Sequence, residues 1–131
     1  KPQWAYAPNP TTQVSGYYVR PLTTLEPSAI RAGISVNTKY GYTEIAGLQT
    51  LLITPKKANS TIYVAWEHAQ LVKVVQNIMN AYGRGVTVPA WVTGDFDSLY
   101  VVRVNYGTDG TPTARFEHDF EGLSNQPTSC P

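Results

Sequence analysis

Sulfur is nearly absent from this chain of 131 residues: it holds one cysteine, Cys130, and one methionine, Met79. A lone thiol cannot close an internal disulfide, so Cys130 is left as a free thiol, an intermolecular bridge, or the partner of a cysteine elsewhere. It stands one residue from the end, in a polar tail (residues 121–131) where burial is not expected. Charge of one sign is also missing. Ten Lys and Arg are scattered among nine Asp and Glu, for a net charge of +1, which excludes the basic stripe that nucleic-acid binding requires. No apolar run approaches the ~20 residues of a membrane-spanning helix, so no membrane span is predicted. The length suits one domain, or the carboxyl-terminal part of a larger one. Because Lys1 is first and Met79 the only methionine, removal of an upstream segment is expected.

Proline and the polar residues organise the amino-terminal part. Pro2, Pro8 and Pro10 lie among Asn, Thr, Gln and Ser with no apolar period, which predicts an extended, irregular lead-in over residues 1–16, anchored by Trp4 and Tyr6. An α/β body over residues 17–120 is expected to follow. It begins with a short strand at Tyr17-Tyr18-Val19. A helix over 23–33 is closed by Gly33, its proper start set near Glu26 by Pro27, with Leu25, Ala29 and Ile30 sharing a face. A short strand is expected over 34–36. A helix over 43–52 has Ile45, Leu48, Leu51 and Leu52 at helical spacing and Thr43 as its cap.

The stretch from Thr61 to Trp66 is β-branched and almost wholly apolar, the pattern of a strand covered on both faces. Leu71, Val74, Val75, Ile78, Met79 and Tyr82 then recur at helical offsets until Gly83, which makes the strongest helix in the chain. Leu99 to Val104, the turn Gly107 to Gly110 and Thr113 to Phe120 read as a terminal hairpin. The expected fold class is therefore α/β, a mostly parallel sheet with flanking helices and an antiparallel terminal hairpin.

Two ionisable side chains, Glu67 and His68, stand where the apolar strand gives way to the strong helix. Ligands of open α/β sheets bind beyond the carboxyl ends of the strands, and a helix N-terminus there favours anions. The plainer alternative is a helix-start histidine bonded to the backbone, with the Glu67 carboxylate capping the first turn. Arg20 follows a predicted strand and precedes a predicted helix, with Thr24 four residues on. Its guanidinium matches phosphate oxygens bidentately, so Arg20 and His68 are expected to converge on one anion pocket.

The run from Tyr18 to Pro27, with Arg20 and Thr24 spaced by four, resembles the Arg-x-x-x-Thr segment of the histidine phosphatase (phosphoglycerate mutase-like) superfamily. The run from Ile62 to Ala69 resembles its second histidine motif, and Asp95 to Val102 resembles the segment entering its late strand. The resemblance covers most of residues 17–120. It implies a phosphate pocket of two histidines and two arginines in which one histidine attacks phosphorus and water then releases phosphate. Arg20 would clamp the phosphate, His68 would be the second histidine, and Thr24 and Glu67 would line the substrate. No residue is assigned as the general acid, and no cofactor or metal is implied.

The Arg-His-Gly segment that supplies the family's nucleophile is absent from this sequence. The only other histidine, His118, lies in the hairpin. The resemblance therefore implies a carboxyl-terminal part of such a fold. Its strand at 61–66 would lack its usual central neighbour, and it would be held by a second polypeptide, by a second copy, or by a rearranged core. The ligand expected is phosphate or a phosphorylated small molecule. The alternative function is a non-catalytic binding or interaction module on the same scaffold, in one version an aromatic-lined carbohydrate binder using Tyr17, Tyr18, Tyr40 and Tyr42.

His118 alternates with Glu117 and Asp119 along a strand, so these groups face opposite ways and make no metal site. Asp95 and Asp97 lack the rest of a calcium loop. Ser, His and Asp are present without a Gly-x-Ser-x-Gly elbow, which argues against a serine hydrolase. Asn59-Ser60-Thr61 matches the N-glycosylation sequon. With the Asn- and Tyr-rich polar surface, it points to an extracellular or periplasmic location.

Overall fold

A computed structural model describes residues 1–11, 18–123, 127, 129 and 130. Three short parallel strands form one sheet in the order β2-β1-β3: β1 (Trp4–Tyr6), β2 (Val36–Asn37) and β3 (Ile62–Val64). Three helices follow the strands: α1 (Arg20–Ala32), α2 (Ile45–Leu52) and α3 (His68–Tyr82). The hairpin of β4 (Ser98–Tyr106) and β5 (Pro112–Phe120) is an antiparallel sheet of its own. The expected α/β class is what the chain adopts.

Within the lead-in, residues 4–6 are not irregular. Trp4–Tyr6 is the central strand, with Ala5 opposite both Val36 and Tyr63. Three residues are too few to show a period, so pairing on both sides, not local pattern, makes this strand. Alternation along it then divides the core. Tyr6 packs with Leu48, Trp66, Val74 and Ile78 toward α2 and α3, and Ala5 and Ala7 pack with Leu25 and Ala29 of α1. Because β1 occupies the centre, β3 has a neighbour within this chain, and the expectation of a strand lacking one is corrected.

Helix α1 starts at Arg20, six residues before the predicted start near Glu26. Pro21 sits in its first turn, where no N–H is needed. Pro27 is inside the helix yet exposed, so the Thr23 carbonyl that it cannot serve faces solvent. The buried stripe is Pro21, Leu25, Ala29 and Ala32. Ile30, expected beside them, is 76% exposed. Tyr18 and Val19 form no strand; of the predicted strand, Tyr17 lies outside the described residues. The cap of α2 is Glu44 rather than Thr43, and the Glu44 carboxylate accepts from Gly41 N–H at 2.9 Å.

Gly33 ends α1 at φ 70°, its N–H returning to the Ala29 and Ile30 carbonyls. A side chain there would meet nothing in space, so its cost is conformational alone. Gly33→Ala is expected to lower folding stability by about 1 kcal/mol, read as a fall in urea midpoint. An unchanged midpoint would contradict this assignment.

The hairpin lies on α3. Val75, Met79 and Val88 form a cluster with Tyr100, Val102, Ala114 and Phe116 packed against it, so α3 is covered by the parallel sheet on one side and by the hairpin on the other.

Candidate functional site

Strands β1 and β3 run side by side in the same direction, and the chain leaves both at one edge. The Ala65 N–H donates to the Tyr6 carbonyl at 3.1 Å, extending their pairing past the strand ends. Beyond β1, Asn9 N–H donates to the Tyr40 carbonyl at 2.7 Å, and Tyr18 N–H to that of Pro10 at 2.9 Å. The chain passes from β1 through α1 to β2 on one side and returns to β3 on the other. The sheet therefore reverses direction of growth at β1, the position where α/β sheets hold ligands.

The side chains that follow β3 divide between support and exposure. Trp66 is buried in the core, and its Nε1–H donates to the Tyr42 carbonyl at 2.8 Å. Glu67, with extended backbone, is the N-cap of α3, accepting from Ala69 N–H at 3.1 Å and Gln70 N–H at 2.8 Å. The plainer reading of Glu67 is therefore correct as far as it goes. His68 opens the helix with its side chain 49% exposed, and Nδ1 lies 3.1 Å from Glu67 Oε1. The Ala69 and Gln70 amides thus serve Glu67 rather than standing open to an anion.

Arg20 opens α1 and is exposed. Among the described residues, no strand directly precedes it: β1, the strand before α1 in the chain, ends at Tyr6. Its guanidinium lies over the Tyr18 ring, 5.6 Å from the centroid, and the Tyr18 and Tyr42 rings meet edge to face with centroids 5.9 Å apart. Thr24 donates its hydroxyl proton to the Arg20 carbonyl at 2.8 Å, so that proton is committed to the helix. Arg20 and His68 share no hydrogen bond, and of the two Tyr18 contacts Arg20. Burial raises the Tyr18 pKa, Arg20 opposes this, and Glu67 and Tyr42 add to it. The phenol thus stays protonated within the fields of both Arg20 and Glu67.

A second polar cluster lies at the open end of the hairpin. Asp95 Oδ1 accepts from Asp97 N–H at 3.0 Å and Ser98 N–H at 2.9 Å, and Oδ2 accepts from the Ser98 hydroxyl. His118 Nε2 lies 2.9 Å from Ser98 Oγ. Sequence reasoning missed this trio because register brings it together: Ser98 pairs with Phe120 and Tyr100 with His118, which sets Ser98 and His118 diagonally on one face. The order is Asp, Ser, His. Ser98 gives its proton to the carboxylate, receives one from His118, and is buried, so it is no activated nucleophile.

Asp95 is held below the ordinary aspartate pKa of 3.8, first by the Ser98 hydroxyl and then by the Asp97 and Ser98 amides. A depressed folded-state value contributes stability that is complete above the unfolded pKa and is lost as pH falls through the folded one. Asp95→Asn is therefore expected to destabilise at neutral pH, with the difference from wild type shrinking in the acid range below 3.8. Unfolding midpoints across that range check it, and a difference independent of pH would contradict it.

Two other sequence-predicted positions are exposed. Asn59 is exposed in a left-handed turn, φ 58°, and Cys130 is exposed. Two concavities of about 360 and 390 Å³ lie along β2, lined by Leu22, Ile34 and Val36 and by Trp4 and Asn37 among others, and include neither Arg20 nor His68. No helix is long and apolar enough to cross a membrane among the described residues. No family model matches the chain, and no curated protein or solved structure matches it either.

Proposed function

We propose that this chain is part of a histidine phosphatase-like phosphomonoester hydrolase and contributes the phosphate-clamping arginine, Arg20, and the second histidine, His68. One observation carries the reading: the helices opened by Arg20 and His68 follow the adjacent parallel strands β1 and β3, at the reversal point of the sheet. In this account the Arg20 fork donates to two phosphoryl oxygens. The His68 ring, held through Nδ1 by Glu67, donates from Nε2 when protonated and offsets charge developing on the transferring group.

The nucleophile of the reaction comes from a second polypeptide in this reading. A specific observation favours the alternative, a non-catalytic phosphate-binding module: the central strand of the sheet runs on into Ala7, Pro8 and Asn9, none of which can form a phosphohistidine. The test is binding of inorganic phosphate or vanadate together with hydrolysis of a phosphate monoester. Binding that is lost in Arg20→Ala and His68→Ala supports the site, and hydrolysis with a trapped phosphohistidine on a co-purifying chain supports the enzyme. Binding unchanged in both variants refutes the site.

A further inference from the structure

We infer that Tyr18 is a ligand-binding residue of this site, its phenol donating to a phosphoryl oxygen while its ring carries the Arg20 guanidinium. The inference rests on the phosphate reading above and names a residue that the family resemblance did not assign. The inventory of donors at this edge leads to it. The Thr24 hydroxyl proton is spent on the Arg20 carbonyl, and the Ala69 and Gln70 amides are spent on Glu67. Of the residues assigned to the phosphate site, Arg20 and His68 remain, opening separate helices.

Tyr18 is the side chain that carries the Arg20 guanidinium. Its ring centroid lies 5.6 Å from the guanidinium carbon and 5.9 Å from the Tyr42 centroid, and it lies in the field of the Glu67 carboxylate that holds His68. An exposed arginine alone is a mobile clamp whose ordering costs side-chain entropy. A guanidinium resting on an aromatic face is partly ordered before the ligand arrives. The phenol adds a donor without adding charge, where the Glu67 carboxylate would otherwise repel a phosphate dianion. Tyr42, meeting the Tyr18 ring edge-on, restricts that ring in turn.

The experiment is calorimetric titration of the protein with inorganic phosphate, for wild type, Tyr18→Phe, Tyr18→Ala and Arg20→Ala. Tyr18→Phe keeps the ring and loses the donor, and about tenfold weaker binding is expected. Tyr18→Ala loses both and should bind more weakly still. In an Arg20→Ala background the Tyr18→Ala effect should shrink, because the ring then has no guanidinium to hold. Unfolding midpoints identify a variant that fails to fold, and Tyr18→Phe then decides. If Arg20→Ala weakens binding while Tyr18→Phe and Tyr18→Ala match wild type, this inference is overturned and the phosphate reading stands. If wild type itself binds no phosphate, both fall.

Discussion

Trp66→Ala is expected to cost about 3–5 kcal/mol of folding stability, the range for truncating a large buried aromatic side chain. Trp66 is 8% exposed and packs with Tyr6, Leu48, Val74 and Ile78, which come from the central strand, α2 and α3. Its loss opens a cavity where these elements meet, and it leaves the Tyr42 carbonyl without the indole donor at 2.8 Å. Trp66→Phe separates the two contributions: most of the apolar contact is retained and the hydrogen bond is not, so about 1 kcal/mol is expected from the lost bond. Equilibrium urea unfolding measures both. A loss below about 1 kcal/mol for Trp66→Ala would mean that this ring does not anchor the core.

The effect extends to the site. Glu67 and His68 directly follow Trp66, and Tyr42, bonded to the indole, meets Tyr18. Trp66→Ala should therefore weaken phosphate binding even at temperatures where the protein remains folded.

Arg20→Ala is expected to weaken inorganic phosphate binding roughly ten- to hundredfold, the equivalent of ~1.5–3 kcal/mol for a charge-assisted hydrogen bond. The exposure of Arg20 keeps the expectation inside that range despite two possible N–H donors, since water screens the pair. Arg20→Lys should recover little, because an ammonium offers a point charge in place of the planar fork and loses the stacked contact with Tyr18. Folding stability should change little in either variant, because the side chain lies outside the core. Equal phosphate affinity in wild type and Arg20→Ala would remove Arg20 from the site.

Elements with their own period were legible from sequence. Helix α3, expected from the helical spacing of Leu71 to Tyr82, spans His68–Tyr82, with Val74, Val75, Ile78 and Met79 buried as the spacing required. The hairpin was equally clear, its alternation running from Ser98 to Phe120 around the Gly107–Gly110 turn. Trp4–Tyr6 was not legible as a strand, since three residues between prolines take their structure from β2 and β3. The start of α1 was misjudged because Pro27 suggests a boundary, and an exposed proline inside a helix is affordable when the freed carbonyl faces water.

The candidate site divides in the same way. Glu67 as a cap follows from its position before an apolar helix, and Arg20 and His68 were found by residue type and placement. Tyr18 as the ring that carries the Arg20 guanidinium, and the Asp95, Ser98 and His118 chain, depend on loop course and strand register, neither of which is written in a local pattern. His118 shows the difference most clearly: alternation correctly separated it from Glu117 and Asp119, yet its actual partner, Ser98, is 20 residues away.

The two histidines of the chain allow the central claim to be tested within one molecule. We would titrate the protein with inorganic phosphate and follow the ring resonances of His68 and His118 by NMR, using His68→Ala to assign them. The account predicts a saturable shift of His68, at the carboxyl edge of the parallel sheet, with His118 unmoved on the hairpin. A titration that leaves His68 unmoved, or moves both rings equally, would contradict it.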